Sequence, residues 1–468
     1  MFALWSLTLC FHRSLEAGQK VRILMAKILW GSEQPIRPTG YAVVSREIIK
    51  RLIKDYGHEV YVMGWDYNGE SMTHEEGWTL VHAGLGGFGG EKLQSGGEGN
   101  SPTVLDYHLQ TIKPDVFVSL IDCWFTGHMV LSSNGIGIPH IAYTPIDGVP
   151  ISHQWSRILG HTHTNLWMSE FGKNVWLDFI AKHNSVGDGH PQLKFPDLDR
   201  YTDTPIDENP MIYHGVDIDV FKPMPAQERE IMRNKLGLGF KTLFSSVGRN
   251  TNRKQIPRLL KALRIALDKL DDPNALGLVI HCGDPVDSMN MGGWKLPDLI
   301  KDYGLSNNVM FSDGSSNPLH GISREDLANL YGCTDAHVLA TGGEGFGIPS
   351  AEAMSCGIPI ILPDNSTGPE LIGADNERGW LIPCSESIVG PRWGVEMGLV
   401  NCELLADALV EVHTKPNEVK KRGKAARKWA VDNLDWDNIT KQFHDLIESR
   451  TGTDHPMTLM TQRNGEQS

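Results

Sequence analysis

Between Thr341 and Glu352 the chain reads TGGEGFGIPSAE, and this stretch constrains the fold more than any other. His337 to Ala340, just before it, form an apolar, strand-like run. Pro349, with its fixed φ, suits a first helical position, Ala351 to Cys356 continue that helix, and Gly357 is placed to end it. Ile358 to Leu362 are the next apolar run, so the whole is one βαβ unit. Glycines at 342, 343, 345 and 347 let backbone N–H groups approach a ligand closely, where a helix N-terminus already favours an anion. A phosphate fits there. Glu344 and Glu352 frame the turn, and carboxylates repel phosphate but accept from hydroxyls. A phosphate cradle between two hydroxyl acceptors describes a sugar nucleotide, with Glu344 on the sugar and Glu352 on the ribose. An ordinary Gly-rich turn with surface acids has the same letters, so the rest of the chain has to decide.

A chain of 468 residues is too long for one core and implies two domains. Its 40% apolar content and negative mean hydropathy are those of a soluble globular protein. The formal charge of −14 weighs against nonspecific binding to nucleic acid or anionic lipid. Seven cysteines, at 10, 123, 282, 333, 356, 384 and 402, are odd in number and scattered, without CxxC. That pattern reads as reduced thiols in a cytoplasmic protein, not as a disulfide framework or zinc site. Phe2 to Phe11 is apolar but short and lacks a basic flank, which leaves a weak signal sequence as one reading. The preferred reading starts the fold at Met25-Ala-Lys-Ile-Leu-Trp-Gly-Ser, with residues 1–24 as an N-terminal extension.

Ile23 to Trp30 is the first expected strand, and the helix expected over 42–55 repeats Val44, Ile48 and Leu52 at one face. Thr39-Gly40-Tyr41 therefore occupies a strand-to-helix turn, where open parallel sheets bind ligands. Arg46, Lys50, Arg51 and Lys54 on the other face read as solvated, a membrane-surface patch being the alternative. Further strands are expected at His58–Met63, Val116–Ile121, Ile138–Tyr143 and Asn165–Ser169. Asp122 and Asp147 follow two of them, at the edge where such sheets place their chemistry; helix or turn capping is the plainer reading, more for Asp122 than for Asp147. Residues 84–100 read as a Gly-rich mobile loop and 184–210 as a polar surface excursion, and the linker between domains is placed at about 217–223. The second half repeats the alternation, with strands at Thr242–Val247, Leu276–His281 and Val309–Ser312 and helices after Pro257 and over 296–303 and 324–331. Strands alternating with helices mean parallel sheets covered on both faces. Residues 384–400 read as a loop, helices are expected over 402–414, 417–433 and 436–449, and 451–468 as a disordered tail.

Ser245-Ser246-Val247-Gly248-Arg249-Asn250-Thr251-Asn252-Arg253-Lys254 follows a strand in the same half as the glycine turn. Arg249 can grip phosphate oxygens bidentately and Lys254 offers a mobile point charge. Four segments then resemble the retaining glycosyltransferases of family 4, the group 1 glycosyltransferases, in order along the chain. These are His214-Gly215-Val216-Asp217 with Phe221 and Pro223, Gly248-Arg249 with Lys254, the E-x7-E run from Glu344 to Glu352, and Ala353-Met354-Ser355-Cys356-Gly357-Ile358-Pro359. The resemblance covers the second half and, in the first, rests on strand order and the Gly40 turn. It implies an α/β protein of GT-B fold: two Rossmann-like, doubly wound parallel-sheet domains facing a cleft, over 25–220 and 221–435, with helix 436–450 packed back on the first.

What the resemblance implies is carried over residue by residue. Arg249 and Lys254 would neutralise the donor diphosphate. Glu344, with Gly345 and the backbone of Phe346, Gly347 and Ile348, would hold the transferred sugar. Glu352 would bind the ribose, and Gly40 would face the reacting sugar. No metal and no cofactor are implied beyond a UDP- or GDP-linked sugar as co-substrate. Many members carry a histidine where this chain has Pro145-Ile146-Asp147, so Asp147, or else His153, would assist catalysis. The implied reaction is retaining glycosyl transfer to an acceptor, which the sequence leaves open among lipid, glycan, protein, small molecule and modified nucleic-acid base. A glycoside hydrolase using paired carboxylates and a noncatalytic nucleotide-sugar-binding protein are the rival readings. The expected location is cytoplasmic, with peripheral membrane contact as the variant.

Overall fold

Thirteen strands, most with side chains buried on both faces, make two sheets that are parallel but for one edge strand, which is what near-continuous apolar runs such as Val116–Leu120 and Thr242–Val247 require. The computed structural model describes residues 25–84, 103–185, 210–287, 292–312, 322–390 and 394–451, without the side chains at 153, 154, 157 and 183–185. The expected extension (1–24), most of the Gly-rich loop (84–100), the polar excursion (184–210) and the tail (451–468) lie outside the described residues.

The first sheet comprises β1 (Lys27–Ser32), β2 (Glu59–Gly64), β3 (Met72–Thr73), β4 (Thr79–Val81), β5 (Val116–Leu120), β6 (His140–Thr144) and β7 (Thr164–Trp167), in the order β3-β4-β2-β1-β5-β6-β7. Only β3 runs antiparallel to its neighbour. The second comprises β8 (Thr242–Val247), β9 (Leu276–His281), β10 (Val309–Phe311), β11 (Ala336–Val338), β12 (Ile360–Pro363) and β13 (Gly379–Ile382), all parallel, in the order β10-β9-β8-β11-β12-β13. In each sheet the crossovers diverge once: between β1 and β5 in the first, and between β8 and β11 in the second. A crevice opens at the carboxyl edge of such a switch point because successive connections leave on opposite faces. The loops after β1, β5, β8 and β11 therefore carry the side chains best placed for a ligand.

Helix Gly40–Tyr56 follows β1 directly; Thr39 caps it by accepting from the Ala42 amide, and Gly57, at φ 73°, ends it. Its apolar face buries Val44, Ile48, Ile49 and Leu52, as the spacing requires. Its basic face is not simply solvated. Lys50 (2.5 Å) and Arg51 (2.7 Å) both turn onto the buried carboxylate of Glu47, and Arg324 of the second half takes the other oxygen at 2.9 Å. Arg324 also reaches Asp217, at 3.4 Å, where the chain passes between the sheets.

The chain crosses between halves a second time beside the first: the Val216 amide donates to the Leu434 carbonyl at 2.7 Å. Helix Trp436–Thr451 then lies on the first sheet, with Phe443 against Trp30 and Tyr143, and His444 Nδ1 2.9 Å from His58 Nε2. Among the described residues no helix is long and apolar enough to cross a membrane.

Residues 384–400 are a correction to the expected loop. They form an antiparallel hairpin, β14 (Cys384–Val389) and β15 (Glu396–Val400). Most of β14 is exposed, so the alternation that marks a half-buried strand is missing from its sequence. The hairpin reaches the other half: the Glu396 amide donates to the Val149 carbonyl at 2.6 Å, and Val395 packs with Ile146, Ile151 and Trp155.

Gly215 shows what the double crossing demands, since a Cβ there would overlap the indole ring of Trp436. Gly215→Ala should therefore cost about 1–3 kcal/mol in chemical denaturation. Gly239→Ala, where a Cβ meets nothing within 4 Å, should change stability by about 0.5 kcal/mol or less. Equal effects of the two would show that the Trp436 contact is not what Gly215 protects.

Candidate functional site

The turn after β8 folds back over its own strand end. A Cβ at Gly248 would lie 3.2 Å from Lys254 Cε, so the bare glycine lets the lysine side chain lie across it. Asn250 anchors the turn, donating to the carbonyls of Asp284 (3.1 Å) and Trp294 (2.7 Å) and accepting from the Trp294 amide. Gln255, with φ at 48°, then opens helix Ile256–Leu270. The outcome is one short turn that presents Arg253 and Lys254 towards the glycine loop after β11.

That loop is pinned from three sides. The Gly342 amide donates to the Arg253 carbonyl at 2.7 Å, Glu344 N–H donates to Ser366 Oγ at 2.9 Å, and Thr367 Oγ1 donates to the Phe346 carbonyl at 3.0 Å. Phe346 turns its ring inward against His214 and Tyr213 and is buried. Helix Ile348–Ser355 begins after Gly347, whose φ of 99° is easily reached only by glycine, and no side chain caps it. Pro349 has no N–H, and the Ser350 and Ala351 amides return to the Gly347 carbonyl at 3.0 and 3.1 Å, so what the helix start offers an anion is the Ile348 amide and the positive dipole end.

Glu344 lies between the two turns, 8% exposed, with Lys254 Nζ 2.5 Å from Oε1 and Arg253 Nη1 3.0 Å from Oε2. Burial opposes its ionisation, yet Arg253 and Lys254 outweigh burial and hold its carboxyl down at about 2. Lys254 is pulled the other way: burial and the Arg253 charge lower its pKa against the attraction of Glu344. Arg249 is exposed at the same strand end and forms no ion pair among the described residues. Its charge reaches Glu33, whose carboxyl burial raises while Arg249 and Arg37 oppose the rise.

The first half closes on this loop. A Cβ at Gly343 would overlap the Asp147 carbonyl, one at Gly345 would lie 2.5 Å from Pro145 Cβ, and one at Gly40 would lie 3.5 Å from Ile348 Cδ1. Glycine at 343 and 345 thus permits contact with the chain itself, where the sequence suggested a ligand. Asp147 is a third exposed and lies 3.5 Å from Arg253 Nε. His153 opens helix His153–His161, and its side chain lies outside the described residues.

Glu352 points away from Glu344's partners and accepts from the Tyr331 hydroxyl at 3.1 Å. Burial pushes its carboxyl up to about 7, against Tyr331 and Arg324. Asp122 corrects the capping reading: its side chain makes no bond to the turn Cys123–Phe125 and accepts instead from Tyr41 Oη at 3.0 Å. Burial first, and the Asp147 charge second, raise Asp122 to about 6. Sequence reasoning also passed over Arg253, quoted in the basic run but given no role, and Ser366. Neither has a signal in spacing; both matter because of what folds against them. Among the described residues no group of His, Cys, Asp and Glu could hold a metal ion.

Glu352 supplies a pH test. A carboxyl raised in the folded state contributes stability that is full below about pH 4.5 and lost as pH rises through about 7. Glu352→Gln keeps an acceptor for Tyr331 and removes that loss. Its stability relative to wild type should grow by about 2–3 kcal/mol between pH 4.5 and pH 8, at about 1.4 kcal/mol per unit. A constant difference across that range would show that Glu352 does not titrate there.

Comparison with known proteins agrees with this geometry. Residues 228–389 match the family model for glycosyl transferases group 1. A GDP-mannose-dependent alpha-(1-6)-phosphatidylinositol monomannoside mannosyltransferase of Mycolicibacterium smegmatis is 25% identical over 243 residues, 50% of this chain and 55% of that protein. The similarity thus spans about half of that relative. Among solved structures, a sucrose-phosphate synthase from Thermosynechococcus elongatus has a TM-score of 0.62 at 17% identity, covering 91% of this chain and 98% of that one. Anabaena HepE in complex with UDP and glucose has a TM-score of 0.62 at 17% identity, covering 91% of this chain and 100% of that one. The chain has the GT-B fold, and over residues 228–389 it is similar to the group 1 glycosyl transferases.

Proposed function

We propose that this protein transfers a glycosyl unit from a nucleoside diphosphate sugar to an acceptor hydroxyl in the cleft, with retention of configuration. One observation carries the reading: a buried carboxylate, Glu344, is kept ionised by Arg253 and Lys254 four residues ahead of an uncapped helix start. An anionic donor with a hydroxylated sugar matches that pattern of cation, amide and carboxylate. In this assignment Arg249 and Lys254 take the diphosphate, Glu344 and the backbone of Gly345, Phe346, Gly347 and Ile348 take the sugar, and Glu352 takes the ribose. Negative charge grows on the leaving diphosphate, so the cations and the helix start lower the barrier by stabilising it. The departing phosphate oxygen, on the same face as the acceptor, helps remove the acceptor proton. Asp147 orients rather than abstracts, and no strong protein base is needed. The relative named for GDP-mannose and the fold neighbour holding UDP and glucose support a GDP- or UDP-linked donor.

A hydrolase would need two carboxylates converging on one glycosidic bond. Glu344 rests on two cations and Glu352 on a tyrosine hydroxyl, which favours separate sugar and ribose roles over a paired one.

Incubation with a panel of UDP- and GDP-sugars, followed by mass spectrometry of released nucleoside diphosphate, tests the reading, and anomeric NMR signals of the product test retention. Arg249→Ala and Glu344→Ala should each lower turnover by about a hundredfold or more, in line with the loss of a charge-stabilising group, and Asp147→Ala by less. Wild-type turnover in Arg249→Ala would defeat the assignment. Sugar release from an oligosaccharide without nucleotide would favour the hydrolase, and tight nucleotide binding without any turnover the noncatalytic protein.

A further inference from the structure

Lys254 spends its charge on Glu344, yet the proposed donor needs that charge for a phosphate. Each oxygen of Glu344 has its own cation, Oε1 facing Lys254 at 2.5 Å and Oε2 facing Arg253 at 3.0 Å, and the Thr341 hydroxyl also bonds the carboxylate. The two cations also differ in how they are held. Lys254 ends in a single ammonium on an unbranched stem that lies across bare Gly248, and its ion pair is with Glu344. Arg253 is fixed at several points: its guanidinium donates to the Gly343 carbonyl and lies 3.5 Å from Asp147, and its backbone carbonyl accepts from the Gly342 amide at 2.7 Å.

We propose that Arg253 is a positioning residue that keeps Glu344 ionised and in register when Lys254 leaves it for the donor diphosphate, and that its contact with Asp147 ties this state to the closed cleft. The inference rests on the nucleotide-sugar reading above and adds a division of labour within it. Lys254 exchanges one anion for another. Arg253 does not move. Without Arg253, arrival of a diphosphate would strip Glu344 of its last cation, and a buried carboxylate left alone takes up a proton. A protonated Glu344 would accept poorly from a sugar hydroxyl. The charged and titratable groups around it are few. Arg253 and Lys254 come from the turn after β8, and His337 from β11, which burial keeps neutral with its pKa lowered to about 3. Asp147 and Tyr41 of the first half act on Arg253, and Arg249 acts on Lys254.

Two measurements separate this role from a structural or phosphate-binding one. The first needs no donor. Thermal stability is followed from pH 4.5 to 7 in wild type, Lys254→Met and the double variant Arg253→Gln/Lys254→Met. Lys254→Met should run parallel to wild type because Arg253 still holds the carboxylate. The double variant should lose stability relative to wild type as pH rises, the sign of a carboxyl whose folded pKa has gone up. If Lys254→Met already shows that loss, Arg253 does not hold Glu344 and the proposal fails.

The second measurement uses UDP and GDP for calorimetry and their sugars for turnover. Arg253→Gln should bind the nucleoside diphosphate within about threefold of wild type while kcat falls about a hundredfold, as expected for a misplaced reacting group. An acid limb should appear, with activity rising from pH 5 to 7. Arg253→Lys, which keeps the charge and guards against a folding artefact, should recover part of kcat. Wild-type kcat and pH profile in Arg253→Gln would overturn the proposal, as would a loss of nucleotide affinity equal to that in Lys254→Met. Were wild type to bind neither UDP nor GDP, the nucleotide-sugar reading would fail, while the donor-free measurement would still decide whether Arg253 holds Glu344.

Discussion

A carboxylate taken out of water must be paid back in full by partners, and Glu344 is the place where this protein does so. One cation would satisfy one oxygen; the site supplies two, from neighbouring positions of a single turn. That turn can present both because Gly248 clears the space for Lys254 and because Asn250 binds two carbonyls that would otherwise need other donors. The geometry of the glycine loop follows from the same pair. Arg253 fastens the loop through its carbonyl and guanidinium, and the uncapped start of helix Ile348–Ser355 is held where Glu344 ends. The positive helix end, Lys254 and Arg249 therefore belong to one electrostatic feature, with Glu344 as its only internal counter-charge among the groups that contact it.

The position of that feature is a property of topology. Both sheets place their switch point next to the central strand, β1 or β8, and both leave a short loop into a helix there. When the sheets face each other, the starts of helices Gly40–Tyr56 and Ile348–Ser355 come together, and side chains larger than hydrogen would keep them apart at Gly343 and Gly345. Glycine serves a protein neighbour at positions 343 and 345 of this loop and a backbone turn, at φ 99°, at position 347. A sequence cannot distinguish the two uses, because both ask only that Cβ be missing.

Much of the fold was legible. The second half announced itself through unbroken apolar runs and strong helical periods, and helices Cys402–Thr414 and Trp436–Thr451 begin where the sequence placed their starts. The first half was harder. Helix Gly127–Ile136 reads GHMVLSSNGI, with small and polar residues that hide its period, and β3 and β4 are two and three residues long. Hairpin 384–400 was lost for the opposite reason: its exposed strand has no buried face to mark it. At the site, residues that form local motifs, such as Glu344 and Lys254, could be found by spacing. The partner of Asp122 and the role of Arg253 could not, since Tyr41 and Asp147 lie far off in sequence and meet them only across the sheet edge or the cleft.

The contacts joining the two halves differ in kind along the cleft. Near the site several are polar, namely Arg253 with Asp147, the Glu396 amide with the Val149 carbonyl, and Glu370 accepting from the amides of Glu170 and Phe171 at 3.2 and 2.9 Å, beside the apolar packing of Val395 with Ile146, Ile151 and Trp155. At the double crossing they are apolar or deeply buried, with Trp436 packed on Gly215, Phe221 under Arg324, and Glu47 enclosed by three cations. Parting a polar contact exchanges one hydrogen bond for another with water, at a net cost of about 0.5–1.5 kcal/mol each. Parting a buried indole from its pocket, or stripping a buried carboxylate of its partners, costs about 3–5 kcal/mol. The cheap contacts border the carboxyl edges of the sheets and the expensive ones border the crossings, so the two halves are held together mainly at the crossings, and each polar contact at the carboxyl edges can part at small cost.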